Sequence, residues 1–65
     1  MSYANFIAHC VEVYRREQKL SGKQVMELFD KKNVLDFIVR NYEPLHIQGA
    51  KGIVWELNDY MGIKV

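Results

Sequence analysis

Two histidines, one cysteine and eight carboxylates are the side chains of this sequence that could do acid–base, nucleophilic or metal chemistry. Neither His9 nor His46 has a Cys or His partner at the spacing that puts two metal ligands on one face of a helix, and there is no C-x-x-C pair. His46 closely follows Pro44 in a short connection, where we expect it to satisfy backbone groups at a helix end. The pattern therefore predicts no metal site.

The remaining reactive groups are also poorly placed for catalysis. Cys10 falls on the apolar face of the first predicted helix, and a thiol in apolar surroundings has a raised pKa and is unreactive. The carboxylates are dispersed along the chain, mostly on faces that we expect to be solvated, so no acid–base pair stands out. We predict a protein that is not an enzyme and that binds no cofactor and no small-molecule ligand.

The spacing of apolar residues predicts the elements that position these groups. Apolar side chains recur every three or four positions along most of the chain, which is typical of amphipathic helices. A chain of 65 residues is long enough for one small domain. We predict an all-α fold, a compact four-helix domain over residues 1–65, with helices at about 3–19, 22–31, 34–43 and 49–61.

Several helix ends carry recognisable signals. Ser2 can cap the first helix, Ser21 and Gln24 stand at the spacing of a capping box, and Asn33 can cap the third helix. Pro44 disfavours helical geometry at the preceding residue, so we expect the third helix to end there.

The third helix is apolar around most of its circumference. Leu35 and Ile38 share one face, and Phe37 and Val39 spread apolar surface further around the cylinder. A helix this apolar is normally covered on more than one side, so we expect it at the centre of the fold. Phe37 and Val39 are also candidates for contact with a second polypeptide.

Trp55 does not fit the buried face of the last helix. Ile53, Leu57 and Tyr60 belong to the predicted buried face, and helical geometry puts Trp55 nearly opposite the first two of them. Either the helix is covered on both sides or the indole is exposed. Because tryptophan is enriched at binding hot spots, we predict a self-association or partner contact through Trp55.

The charges are nearly balanced, with nine basic and eight acidic residues and a formal net charge of +1. Arg15, Arg16 and Lys19 form the one basic cluster, at the end of the first helix, where positive charge suits the helix dipole. The cluster also offers an electrostatic rim for a contact surface. The sequence lacks the strong basic face that a nucleic-acid binder of this size usually shows, so we do not expect nucleic acid as a partner.

A helix-turn-helix-like DNA-binding regulator is the alternative interpretation. Residues 21–40 contain two short predicted helices with a tight polar corner. The second helix, however, would direct Asp36, Arg40 and Glu43 outward, whereas base readout favours Arg, Lys, Asn or Gln.

No apolar run approaches the roughly 20 residues that span a bilayer, and the first residues lack the charged region of a signal peptide. The single cysteine suits a reducing compartment. We expect a cytoplasmic protein without membrane contact.

The order of landmarks resembles a family of short, uncharacterised bacterial proteins that share a domain of unknown function. The matching segments cover nearly the whole chain, and the most specific are Ser21-Gly22-Lys23 and Leu45-His46-Ile47-Gln48-Gly49. The others are Val13-Tyr14, Leu20, residues 24–25 and 27–29, Asn33-Val34, Phe37, Tyr42, Ile53-Val54 and Asn58-Asp59-Tyr60. Members of such a family are sometimes encoded beside ADP-ribosyltransferase-like toxins, so the resemblance implies an antitoxin-like or accessory role. It assigns no catalytic residues, and Trp55 is not part of its pattern.

Overall fold

The computed structural model describes residues 3–63, which form five α-helices and no strand. The helices are α1 (Tyr3–Gln18), α2 (Gly22–Lys31), α3 (Val34–Arg40), α4 (Tyr42–His46) and α5 (Ala50–Met61). The predicted all-α fold is confirmed. Ser2, the expected cap of α1, and the two ends of the predicted domain lie outside the described residues. None of the described helices has the length and apolarity needed to cross a membrane.

The third predicted helix is divided in two, which corrects its expected range of 34–43. α3 ends at Arg40, and Asn41 leaves helical geometry with φ −114° and ψ 28°. The Asn41 side-chain amide donates to the Phe37 carbonyl at 2.9 Å, the kind of local bond with which asparagine competes against helix continuation. Pro44 then lies in the first turn of α4, where its missing N–H is not needed. The proline therefore belongs to the start of a new helix rather than to the end of α3.

The predicted capping box at the start of α2 is confirmed. The Ser21 hydroxyl accepts from the Gln24 N–H at 3.1 Å, and the Gln24 side chain accepts from the Ser21 N–H at 2.8 Å. These reciprocal bonds satisfy two amides that the first helical turn leaves unpaired. They set where α2 begins after the turn from α1.

Among residues 3–63, two that are not glycine have left-handed backbone geometry. Lys19 has φ 56° and ends α1, and the Leu20 N–H donates to the Arg15 carbonyl at 3.0 Å as in a Schellman motif. Asn33 has φ 57°, and its side chain makes no capping hydrogen bond to α3. The expected Asn33 cap is therefore wrong, because this residue turns the chain after α2 in a left-handed conformation that asparagine tolerates.

The core lies where α1, α2 and α5 meet. The most extensive helix contacts are those of α1 with α5 and with α2. α3 contacts each of the other helices, as expected of a central element, but only its Val34 and Ile38 are buried. α3 is therefore central in connectivity, whereas α1 makes the most extensive contacts with its neighbours. The buried apolar residues are Cys10, Val13, Tyr14, Val25, Phe29, Val34, Ile38, Leu45, Ile53, Val54, Leu57 and Met61.

A buried polar pair links α1 to α5. The Tyr14 hydroxyl donates to Asn58 Oδ1 at 2.6 Å, and burial raises the pKa of Tyr14. Asn58 is only 1% exposed, and its Nδ2 has no hydrogen-bond partner among the described residues. This asparagine lies one turn after the buried Val54 and extends the buried face of α5.

Candidate protein-binding surface

Trp55 is exposed, which resolves the two alternatives that the sequence left open. Ile53 and Leu57 are fully buried against the rest of the fold, and Trp55 lies between them in sequence but on another side of α5. As a result 57% of this large side chain remains accessible. Tyr60, which we expected on the buried face, is also exposed at the surface.

The indole lines a shallow groove between the end of α1 and α5. The groove encloses about 210 Å³, and its lining residues are Glu17, Gln18, Lys51, Val54 and Trp55. We call these five residues the Trp55 surface. A half-exposed aromatic ring beside a small recess is the arrangement in which an anchoring side chain from another polypeptide can pack.

Phe37 and Val39 are the other apolar residues predicted to contact a partner. The structure does not place them beside Trp55. Phe37 is partly buried and stacks on the Tyr60 ring, with 4.1 Å between centroids and 22° between planes. Tyr60 and Trp55 are five residues apart on α5, which turns them by about 140° around the helix. Val39 is exposed on α3. Phe37 therefore lies on a different side of the molecule from the groove, and Val39 is not among the groove's lining residues.

The three predicted basic residues differ in how free their charges are. Arg15 forms a two-point ion pair with Glu12, through Nε at 3.0 Å and a terminal nitrogen at 2.6 Å. The Arg15 hydrogen bond lowers the pKa of Glu12, and the same bond raises the pKa of Arg15. Arg16 Nε is 4.0 Å from Glu12, and Lys19 is exposed without an ion pair among the described residues. Of these three, Arg16 and Lys19, which are sequence neighbours of Glu17 and Gln18 of the groove, are more available to a partner than Arg15.

An aromatic cluster that was not predicted from the sequence joins the start of α1 to α4. The Tyr42 ring lies edge-on to Tyr3 and Phe6, with centroids 5.4 and 5.0 Å away, and stacks on the His46 ring at 4.6 Å. Tyr3 and Phe6 are three residues apart, and Tyr42 and His46 are four apart. Such spacings place each pair on one helix face, so they could have indicated the cluster. The cluster fixes α4 on α1.

His46 contributes to the end of α4, as expected. Its Nδ1 lies 2.8 Å from the Glu43 carbonyl oxygen and 3.1 Å from that of Tyr42. A protonated Nδ1 can donate to these carbonyls, which the helix end leaves unpaired.

The reactive side chains are placed as structural groups. Burial raises the pKa of the Cys10 thiol to about 11, which keeps it protonated and unreactive at neutral pH. No three or more His, Cys, Asp or Glu side chains among residues 3–63 are grouped so that they could hold a metal ion.

The comparison with known proteins identifies a family over almost the entire chain. Residues 5–64 match the model of a family described as a protein of unknown function, DUF3791. The resemblance to a domain of unknown function, drawn from the sequence landmarks, is thereby confirmed. No curated protein and no solved structure is significantly similar to the chain.

Proposed function

We propose that this chain, which belongs to the DUF3791 family, is a non-enzymatic domain that binds another polypeptide through the Trp55 surface. The observation that carries the proposal is the 57% exposure of the single tryptophan beside the groove between α1 and α5. A small domain has few large apolar side chains for its core, and this one leaves its largest at the surface.

Burial of the indole by a partner would supply the affinity, and the charges beside it would supply orientation. Tryptophan can bury more apolar area than other side chains and is over-represented among residues whose truncation weakens binding most. Arg16 and Lys19 lie next to the groove residues of α1 and are exposed. Charges at the rim of a contact mainly steer association and select partners.

In the cell, the proposed binding would give this chain an accessory or antitoxin-like role. The family resemblance implies a small protein encoded beside a larger one, so the first partner to test is the product of the neighbouring gene. Self-association through the same surface is the other form that the exposed indole supports.

Binding to DNA is the second candidate, because α2 and α3 are separated only by Lys32 and Asn33. The exposed side of α3 disfavours it, since Arg40 Nε is paired with Asp36 at 3.0 Å. A cation held by a carboxylate on the same helix is poorly available to phosphate or to a base edge. A salt titration of binding to random duplex DNA tests this candidate, and absence of binding at low salt would reject it.

The test of the main proposal is co-expression of the chain with the neighbouring gene product, followed by purification of the complex. Trp55→Ala should abolish or strongly weaken the complex while the helical circular dichroism is unchanged, because the indole is mostly outside the core. Met26→Ala, which truncates an exposed apolar residue on α2, is the matched control and should leave the complex intact.

A complex that forms equally well with Trp55→Ala would reject the Trp55 surface as the contact. If the wild-type chain forms no complex with the neighbouring product, that product is rejected as the partner.

A further inference from the structure

The charges at the two ends of α5 oppose the dipole of their own helix. Lys51 lies in the first turn and Asp59 in the last turn, whereas a helix favours acids at its start and bases at its end. The first turn has no acidic residue and the last turn no basic residue to offset them. A local rule broken at both ends of one helix is typical of a functional contact rather than of folding.

Neither charge is used inside the described part of the molecule. The side chains of Lys51 and Asp59 are exposed, and neither makes an ion pair or a hydrogen bond with residues 3–63. They are eight residues apart on α5, so about 12 Å along the helix axis separates them. They cannot pair with each other, and both are available to another molecule.

Lys51, Trp55 and Asp59 follow one another at intervals of four and form a stripe on the exposed side of α5. The stripe is symmetric about Trp55, which is near the middle of the helix, with one cation and one anion at equal distances on either side. We call these three residues the α5 stripe.

We propose that the α5 stripe binds a second copy of this chain, with the two α5 helices antiparallel about a two-fold axis at Trp55. In this arrangement Lys51 of each copy faces Asp59 of the other, and the two indoles meet at the centre. The inference rests on the proposed function, since it uses the same indole. It adds that the polypeptide bound there is a second copy of this chain.

Self-complementarity is the reason for choosing a second copy. A two-fold contact places the same patch on both molecules, so the patch must contain both members of every pair that it forms. The α5 stripe meets this condition with one Lys, one Asp and an apolar centre. A partner with a different surface would not require the two charges to be equally spaced from Trp55.

The surroundings of the stripe are compatible with this contact. On one side Gln48 Nε2 donates to Glu56 Oε2 at 3.1 Å, so this carboxylate already has a hydrogen-bond partner within the chain. On the other side the groove of about 210 Å³ beside Trp55 offers a recess for the indole of the second copy. Antiparallel helices also place opposite ends of their dipoles together.

Charge reversal tests the arrangement by sedimentation equilibrium. Lys51→Glu makes both charges of the stripe negative, and Asp59→Lys makes both positive. Each single variant should dimerise at least about tenfold more weakly than wild type, because like charges then face each other twice. The double variant Lys51→Glu/Asp59→Lys should regain wild-type dimerisation.

A mixture of the two single variants gives the sharpest result. One variant has a negative stripe and the other a positive stripe, so they should form a mixed dimer although neither dimerises well alone. In a parallel arrangement each residue would face its own counterpart, so like charges would already face each other in the wild type and neither single variant would dimerise more weakly than wild type. Thermal unfolding at a concentration where the wild type is monomeric is the folding control: each single variant should then unfold at the same or a higher temperature, since each change corrects a charge that opposes the dipole.

A wild-type chain that stays monomeric up to about 1 mM would overturn the inference. Dimerisation that is insensitive to both single changes, or that the double change does not restore, would overturn the antiparallel stripe. A monomeric wild type that still binds the neighbouring gene product through Trp55 would reject this inference and leave the proposed function standing.

Discussion

Replacing Tyr14 with phenylalanine should destabilise the fold although it removes a single atom. The hydroxyl makes a 2.6 Å hydrogen bond to Asn58 Oδ1, and both side chains are almost completely buried. Without the hydroxyl, the amide oxygen of Asn58 joins its Nδ2 as a buried group with no partner. Water cannot replace the lost bond unless the core opens.

The expected magnitude follows from the cost of an unpaired buried polar group, about 1 to 3 kcal/mol. Phenylalanine keeps the ring that packs edge-on against Phe29 at 5.2 Å, so little packing should be lost. For a chain of 65 residues the entropy of unfolding is about 0.14 kcal/mol per kelvin. A loss of about 2 kcal/mol should therefore lower the Tm by about 15 °C.

Urea and thermal unfolding followed by circular dichroism measure this effect, and a double replacement distinguishes its cause. Tyr14→Phe/Asn58→Leu replaces both partners with apolar groups of similar size, which should recover most of the lost stability. If Tyr14→Phe costs less than about 0.5 kcal/mol, or if the double variant is no more stable than Tyr14→Phe, then the buried pair does not have the role that its geometry indicates.

Three further predictions concern the pH dependence and the helix ends. Burial raises the pKa of the Cys10 thiol from 9.0 to about 11 in the folded state, so folding favours the neutral thiol. The stability that this preference contributes is fully present below pH 9 and is lost as pH rises through 11. Urea titrations should show the free energy of unfolding falling by about 2 to 3 kcal/mol over this interval from Cys10 alone, and Cys10→Ala should show a shallower fall. Lys19→Gly should raise the free energy of unfolding by about 1 kcal/mol, because Lys19 has φ 56°, while Lys19→Ala should give no such gain; equal effects would contradict the backbone explanation. Ser21→Ala should cost about 1 kcal/mol and Ser21→Gly only a few tenths, and a larger loss for glycine would contradict the capping account.

The helices and much of the core could be predicted because their signals are local. The capping box of Ser21 and Gln24 depends on residues three apart, and the periodic apolar positions of α2 and α5 show which face is buried. The break at Asn41 was missed because two conformations compete there within a few residues, and the apolar pattern continues across the break. Proline was therefore assigned to the end of one helix, although it suits the first turn of the next.

The candidate site was predictable only in part. Trp55 stood out because its position conflicted with the helical period, and its exposure could be decided only by the arrangement of α1 and α5. The same arrangement buries Asn58 and pairs it with Tyr14, a residue 44 positions away, which no local pattern could reveal. The predicted helix at about 49–61 already places Lys51 and Asp59 in its first and last turns, but only the structure shows that both are exposed without an ion pair among residues 3–63.

The most direct test of the central claim is acrylamide quenching of Trp55 fluorescence, because the chain contains no other tryptophan. Quenching is measured first on the dilute chain. It is measured again on the chain in a complex, which is formed either by concentrating the chain alone or by saturating it with the neighbouring gene product. We predict efficient quenching and red-shifted emission in the dilute chain, and a blue shift with protection from quenching in the complex. Equal quenching in the free and bound states would contradict the claim that Trp55 belongs to a contact between polypeptides.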